Sequence, residues 1–120
     1  MPISYAIDVN RALVTTRWWG AVTDQEVREH NHDLRTDPRF DSSFRELVDM
    51  TAVTKLLITT HLIYETALDQ FFEPGTRRAI VASSDVVFGM ARMFALRAES
   101  AGQLVEVFRA PARAEAWLGI

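Results

Sequence analysis

The stretch RRAIVASSDVVFGMARMF, from Arg77 to Phe94, predicts a buried strand that passes directly into a helix. Its apolar run Ala79–Ala82 is typical of a central parallel strand covered on both faces. Ser84 or Asp85 can then cap a helix, and apolar residues recur at helical spacing as far as Ser100. A strand that leads straight into a helix is the unit from which mostly parallel sheets are built.

The first twenty residues predict a β-hairpin. From Ile3 to Val9, every second residue is apolar, which is the period of a half-buried strand. Asn10-Arg11 forms a short turn, and Ala12–Gly20 is rich in the β-branched and aromatic residues that strands favour. So short a connection implies antiparallel pairing.

A surface helix is predicted next. Thr23 and Glu26 have the spacing of a capping box. Val27 and Leu34 are the only apolar anchors of this helix, and Asp37-Pro38 ends it because the residue before a proline is disfavoured in helical conformation.

The remaining pattern adds two strands and two helices. A largely buried third strand is predicted at Phe44–Met50. A second helix follows at 58–72, with Thr59 or Thr60 as N-cap and Pro74-Gly75 as its stop. Downstream of Ser100, the pattern indicates a fifth strand at 103–109 and a short helix that begins at Pro111. The prediction is a single α/β domain over residues 1–120, ordered β-β-α-β-α-β-α-β-α. Its five-stranded, mostly parallel sheet has an antiparallel N-terminal edge strand and four helices.

Composition excludes several classes of protein. The 120 residues contain no cysteine and carry a net charge of −3, so neither a thiolate site nor a basic nucleic-acid surface is expected. The glycines stand singly, which excludes a phosphate loop and a dinucleotide fingerprint. Neither a leader nor a membrane-spanning run is recognised in the sequence, so a cytoplasmic location is the expectation.

Few residues suggest chemistry. His30 and His32 are two positions apart on a helix and should diverge, so the segment EHNHD is interpreted as a solvated helix face. Asp49 should close the third strand at the carboxyl edge, where ligands of parallel sheets bind. An enzyme would need Asp49 beside His61, but no catalytic motif surrounds either residue. We therefore expect no enzymatic activity, cofactor or metal.

Two helices and a tryptophan pair carry more apolar surface than one sheet requires. The sequence predicts that the core stripe of the third helix consists of Val86, Met90 and Phe94 together with Val87, Ala91 and Ala98. On the second helix, the rows expected to be apolar are Ile63, Ala67, Phe71 and Tyr64, Leu68, Phe72. The candidate interface or ligand surface comprises Trp18, Trp19, Asp49, His61, Tyr64, Leu68, Phe72, Phe88, Gly89, Met93 and Leu96.

Two features of this surface have alternative interpretations. One indole of Trp18-Trp19 should be buried and the other should face outward, either as an interface anchor or as cover for the sheet. Gly89 should allow another backbone to approach closely, either the second helix of this chain or a helix of a second chain.

The chain resembles the STAS domain of bacterial anti-sigma-factor antagonists. The closer similarity is to the SpoIIAA-like branch, which has also been compared with the CRAL-TRIO lipid-transfer fold. The resemblance rests on Trp18–Glu26, Asp37–Phe40, Leu47–Val53, Arg77–Phe94 and Val107–Leu118.

In phosphorylatable members, the resemblance implies a Ser or Thr acceptor that follows an Asp at the start of the second helix. The matching residues here are Thr59 and Thr60. They follow Ile58 rather than an Asp, so helix capping alone is the favoured interpretation.

Two functions remain open from the sequence. The first is a non-catalytic interaction module that either regulates a partner protein or forms a homodimer through the second and third helices. The second is a binding protein for a small apolar ligand, a lipid or acyl chain, held between those helices and the sheet. Its expected lining residues are Phe71, Phe72, Phe88, Met90 and Met93.

Overall fold

The computed structural model describes residues 2–69 and 71–120, and its five strands lie side by side in chain order. The edge strand β1 pairs antiparallel with β2, and the remaining neighbours are parallel. The strands are β1 (Ile3–Asp8), β2 (Leu13–Thr23), β3 (Arg45–Leu57), β4 (Arg77–Val81) and β5 (Leu104–Phe108). The predicted α/β class, element order and antiparallel edge are confirmed.

Three helices cover one face of the sheet and a fourth covers the other. The helices are α1 (Asp24–Thr36), α2 (Thr60–Leu68), α3 (Asp85–Ser100) and α4 (Pro111–Leu118). Right-handed crossovers between strands added in one direction put α1, α2 and α3 on the same face. The opposite face of β4 packs on Ala114 and Leu118 of α4. No helix of the described residues is long and apolar enough to cross a membrane.

Strand β4 is central and covered on both faces, as predicted. Ala79 and Val81 pack against α4, whereas Ile80 and Ala82 pack in the cluster that contains the buried side of α3. All four residues are buried. The alternation of side chains across a strand sends this single apolar run into two separate cores.

The predicted helix starts are also confirmed. The N-cap of α1 is Thr23, and one Glu26 carboxylate oxygen accepts both the Thr23 N–H and its hydroxyl at 2.9 Å. Ser84 caps α3 by accepting the N–H of Val87 at 3.3 Å, and Pro111 is the first residue of α4. These features depend on local sequence, so they can be predicted without tertiary information.

The third strand is longer than predicted. It continues from Met50 to Leu57, because β2 also extends as far as Thr23 and pairs with it along that length. Register shifts accompany the extension on either side of Trp19 and Gly20. Asp49 is therefore in the middle of a strand, and the prediction that it closes the strand is wrong.

The second helix is shorter than predicted. It ends at Leu68, so Phe71 and Phe72 do not continue its apolar rows. Phe72 is 1% exposed and lies in a cluster with Val14, Leu34 and Phe44. The burial of this ring against other elements outweighs the helical spacing of the sequence.

The buried stripe of α3 agrees with the predicted one in part. Val87 and three alanines at 91, 95 and 98 face the core, while Val86 is 70% exposed. The prediction is therefore confirmed for Val87, Ala91 and Ala98 and wrong for Val86. Small side chains let a helix lie close to its neighbours, and this explains why the alanines take the inner face. Met93 and Leu96 point outward, as predicted.

Gly89 contacts no second segment of the described chain. It is exposed, and a Cβ added to it would meet nothing within 4 Å. A close approach by α2 is therefore excluded as the reason for this glycine.

Replacing Gly89 with alanine should stabilise the protein. Alanine restricts the unfolded chain and favours the helix, so the free energy of unfolding should rise by about 0.5–1 kcal/mol in urea denaturation. Gly102→Ala is the control, because Gly102 has φ +88° and a Cβ there would lie 3.8 Å from Pro74 Cβ. That variant should be destabilised. A loss of stability in Gly89→Ala, measured at a protein concentration too low for self-association, would contradict the open environment described for this position.

Candidate functional site

A cavity lies between the sheet and helices α1, α2 and α3. The centre of a water-sized sphere can occupy about 90 Å³ inside it. One water needs roughly 10–15 Å³ on this scale, so the cavity has room for several waters or a small organic molecule. Its lining residues are Trp18, Val27, His30, Asn31, Glu46, Val48, Met50, Leu56, Ile58, Leu62, Ile63, Thr66, Arg78, Ile80, Met90, Ala91, Phe94 and Val105.

Most of the cavity wall is apolar. The cavity forms because the helices that cover the sheet carry few large side chains on their inner faces. The core-facing side of α3 consists of Val87 and alanines, which fill less space than leucine or phenylalanine. Only Val27, His30 and Leu34 of α1 are buried. The region predicted for an apolar ligand, between α2, α3 and the sheet, is therefore the region where the cavity forms.

A buried ion pair forms the polar part of the sheet wall. Glu46 of β3 stands beside Arg78 of β4, and one glutamate oxygen accepts from Arg78 Nε at 3.3 Å and Nη2 at 3.2 Å. Thr16 Oγ1 donates to the other glutamate oxygen at 3.3 Å, and Arg78 Nη1 donates to Gln103 Oε1 at 3.3 Å. The side chains of Glu46 and Arg78 are only 5% and 12% exposed. Their opposite charges cancel, and each partner has a further hydrogen bond to a neighbouring side chain.

Two aromatic rings hold the guanidinium of Arg78. Its central carbon lies 4.2 Å from the centroid of Phe72 and 5.8 Å from that of Phe94. Gln103, which accepts from Arg78, also donates from Nε2 to the backbone carbonyl of Phe72 at 3.1 Å, so Phe72 is held through both its ring and its backbone. The ion pair thus joins the Phe72 cluster to the cluster under α3, and it explains why Phe72 is buried rather than exposed.

His30 is the titratable group of α1 that faces the cavity. It is 5% exposed, and burial lowers the pKa of the imidazole, although the charges of Glu46 and Asp33 act in the opposite direction. Its ring meets the edge of Tyr5 at 5.7 Å between centroids. The imidazole lines the cavity, and no residue in the described ranges forms a hydrogen bond with it. His32 is exposed, as the predicted divergence of the two histidines requires.

Trp18 and Trp19 face opposite sides of the sheet. Trp18 lines the cavity, and its Nε1 is the buried side-chain nitrogen that has no acceptor among the described residues. Trp19 is half-buried, with the guanidinium of Arg17 at 5.8 Å from its ring centroid. Trp18 therefore contributes to the cavity wall, and Arg17 partly covers Trp19.

The cavity adjoins a groove on the surface between α1 and α2. Asn31 and Thr66 line both the cavity and an outer groove. The exposed ion pairs Arg28–Glu65 and Arg35–Asp69 bridge the helices over this groove. Solvent-exposed pairs of this kind are weak, so they offer little resistance to a molecule entering between the helices.

Asp49 and His61 lie on opposite sides of the sheet. Asp49 alternates with Val48 and Met50, which line the cavity, and its carboxylate accepts from the Thr51 N–H at 2.9 Å. His61 is exposed on α2, 3.8 Å from Glu65. The arrangement that an enzymatic interpretation required is not formed. Within the described ranges, no group of three or more histidines and acids is placed to hold a metal.

Thr59 and Thr60 occupy the start of α2. Thr59 is the N-cap, and its hydroxyl accepts the Leu62 N–H at 3.1 Å and donates to an Asp24 oxygen at 2.7 Å. Thr60 is the exposed first residue of the helix. The capping role of Thr59 is confirmed. A phosphate at Thr59 would stand against the Asp24 carboxylate, and phosphorylation of either residue stays a prediction.

The outer faces of α2 and α3 carry the exposed part of the candidate surface. Tyr64, Leu68, Met93 and Leu96 are 38%, 70%, 39% and 58% exposed. The guanidinium of Arg97 lies 4.0 Å above the Tyr64 ring and donates to its hydroxyl at 3.0 Å, which connects the two helices.

The aromatic residues expected in the ligand site lie elsewhere. Phe88 packs against the core beneath the guanidinium of Arg109 at 4.2 Å, and Phe71 packs with Phe72. Of the five expected lining residues, Met90 alone lines the cavity. The other four lie outside the cavity, because α2 ends before Phe71 and Phe72, Met93 faces outward and Phe88 packs beside Arg109.

The polar residues of the cavity were missed by the sequence prediction, although one signal was present. Glu46 occupies the same alternating positions as Val48 and Met50, so a charged residue stands on the inward face of a strand. A carboxylate at such a position needs a buried partner. The sequence does not indicate that Arg78 is this partner, because the pairing depends on the register of two strands far apart in the chain.

Breaking the buried ion pair should cost much more stability than breaking an exposed one. Arg78→Met leaves the Glu46 carboxylate unpaired, so the free energy of unfolding should fall by about 3–5 kcal/mol. The double variant Glu46→Met/Arg78→Met should recover most of this loss. Arg28→Met, which breaks an exposed pair, is the control and should have a much smaller effect in the same denaturation assay. Equal losses in the two single variants would show that the buried pair is not a structural element.

Comparison with known proteins supports the fold. No protein-family model matches the chain, and no curated protein matches its sequence. The structure is similar to the crystal structure of an uncharacterized protein from the DUF3478 family with a SpoIIAA-like fold, from Shewanella loihica PV-4. The TM-score is 0.61 and the sequence identity 15%, over 97% of this chain and 93% of that chain. The chain therefore has a SpoIIAA-like fold, as the resemblance of its sequence implied.

Proposed function

We propose that the protein is a non-catalytic module that binds a small, mainly apolar molecule in the cavity beneath α1, α2 and α3. The observation that carries this proposal is the cavity itself, with its volume of about 90 Å³. Protein interiors are packed densely, and a void under a helix costs stability unless something occupies it.

The composition of the wall supports this function. Leu62 and Ile63 of α2 and Met90 and Phe94 of α3 surround the space, and a few polar groups lie among the apolar ones. Small-molecule sites combine an apolar lining with a few placed polar groups in this way. Methionine side chains adapt their shape to a bound molecule. The gap between α1 and α2 supplies an entrance.

Filling the cavity should abolish binding. Cumene, an uncharged hydrocarbon, should raise the melting temperature of the wild type, because a ligand that binds only the folded state stabilises it. Ala91→Leu puts a larger side chain into the cavity and should remove this shift. The control is Ala112→Leu on the exposed side of α4, which should keep it.

Met90→Phe reduces the space from a half-buried position and provides a second test if Ala91→Leu does not fold. Native mass spectrometry of protein purified from cells should show a co-purifying small molecule. The absence of both a co-purifying mass and a cumene shift would contradict ligand binding.

A second candidate function is self-association through the outer face of α3. Val86, Gly89, Met93 and Leu96 recur at the spacing of a helix–helix seam, and all four are exposed. Since nothing in the described chain approaches Gly89, the cost of a mid-helix glycine is unexplained within one molecule. A helix that packs on this seam could come close at Gly89.

An antiparallel second copy fits this seam. It would place Val86 of one copy against Leu96 of the other, and Gly89 against Met93. The long side chain of Met93 would then fill the space that Gly89 leaves open. Asp85 at one end of the helix would lie near Arg97 of the other copy. Arg92 of one copy would lie near Arg92 of the other, and these two positive charges repel each other. The free energy gained from the apolar contacts must exceed the cost of this repulsion.

Sedimentation over a range of concentrations should show a dimer that Met93→Glu disrupts, since the substitution places a carboxylate in the seam. Arg113→Glu introduces the same charge on exposed α4 and should leave the dimer intact. A wild-type protein that stays monomeric at about 1 mM would exclude an association of useful strength.

A further inference from the structure

The charges inside the cavity already cancel. Glu46 and Arg78 bind each other, Thr16 donates to the glutamate, and Gln103 accepts from the arginine. Phe72 and Phe94 lie against the guanidinium, which leaves this cation embedded between rings. The pair therefore requires no charge from a ligand.

The remaining titratable group of the wall is neutral. His30 is 5% exposed, and burial lowers its pKa, so the imidazole carries no charge near pH 7. An ionic ligand would bring a third charge into this space without a counter-ion of its own. Burying an unpaired charge is far more costly than burying a neutral polar group.

Hydrogen-bond donors in the wall, by contrast, lack partners. The His30 imidazole has no hydrogen bond to any residue of the described ranges, and Trp18 Nε1 is buried there without an acceptor. Thr66 is different, because its hydroxyl is already bonded to the Leu62 carbonyl. Buried polar groups in proteins are nearly always hydrogen-bonded, and an orphaned donor beside a cavity points to an acceptor that arrives from outside the chain.

We infer that the ligand of this cavity carries no formal charge and places a hydrogen-bond acceptor, such as a carbonyl oxygen, against the imidazole of His30. This inference rests on the proposed function and narrows it, since it excludes fatty-acid carboxylates and other ions. The size of the cavity selects molecules of about one ring, because a long acyl chain would have to extend through the gap between α1 and α2.

Four probes of nearly equal shape test the inference. Acetophenone is neutral with a carbonyl acceptor, benzoate is an anion, benzamidinium is a cation, and cumene is neutral without an acceptor. Titrations followed by protein NMR at about pH 8, where benzoate is ionised and histidine is neutral, give the four dissociation constants. Acetophenone should bind at least about tenfold more tightly than either ion.

Paired histidine variants test the acceptor. His30→Phe keeps a ring in the wall but removes its N–H, so the ratio of acetophenone affinity to cumene affinity should fall roughly two- to tenfold. His32→Phe changes an exposed histidine of the same helix and should leave the ratio unchanged. If His30→Phe does not fold, His30→Leu gives the same comparison.

The outcomes separate this inference from the proposed function. Benzoate or benzamidinium binding as tightly as acetophenone would overturn the requirement for a neutral ligand. An unchanged acetophenone-to-cumene ratio in both His30 variants would overturn the assignment of the hydrogen bond. Either result leaves the cavity as a ligand site, because cumene still binds. Failure of all four probes to bind would instead remove the proposed function and this inference together.

Discussion

The ion pair between Glu46 and Arg78 is the interaction on which the interior of this protein depends. It connects neighbouring strands beneath the three helices, and Gln103 and Phe72 join it to the next strand and to the segment after α2. Breaking it would leave a buried charge without a partner, so the strands and Phe72 are held in one arrangement. The cavity has a defined wall on the sheet side because Thr16 and Gln103 hold the two members of the pair in place.

The opposite wall is formed by less demanding contacts. Alanines on α3 and a single histidine on α1 leave space where larger side chains would close the core. The helices α1 and α2 are bridged over this space by exposed ion pairs. The sheet wall of the cavity is therefore held by a buried ion pair, whereas the helix wall is held by weaker, exposed contacts. This difference suits the proposed ligand site, because the helices could move to admit a molecule while the sheet stays in place.

Local features of the fold could be predicted from the sequence, and those that depend on distant contacts could not. The capping residues Thr23 and Ser84 and the two-sided burial of β4 follow from short patterns, and these predictions are confirmed. The end of α2 was mispredicted because the burial of Phe72 depends on Arg78. The general position of the cavity follows from the surplus of apolar helix surface, but its polar groups follow from strand register, which no local pattern reveals.

The order of the strands has a consequence for folding. Every strand pairs with the strand that precedes it along the chain, so each new pairing closes a loop no longer than one helix and its connections. Such a sheet can grow by successive addition, because each strand pairs with its nearest neighbour along the chain. The cavity face is complete once β5 has paired. The opposite face of β4 is covered by α4, which follows β5 along the chain, so this face stays open to solvent until α4 has been made.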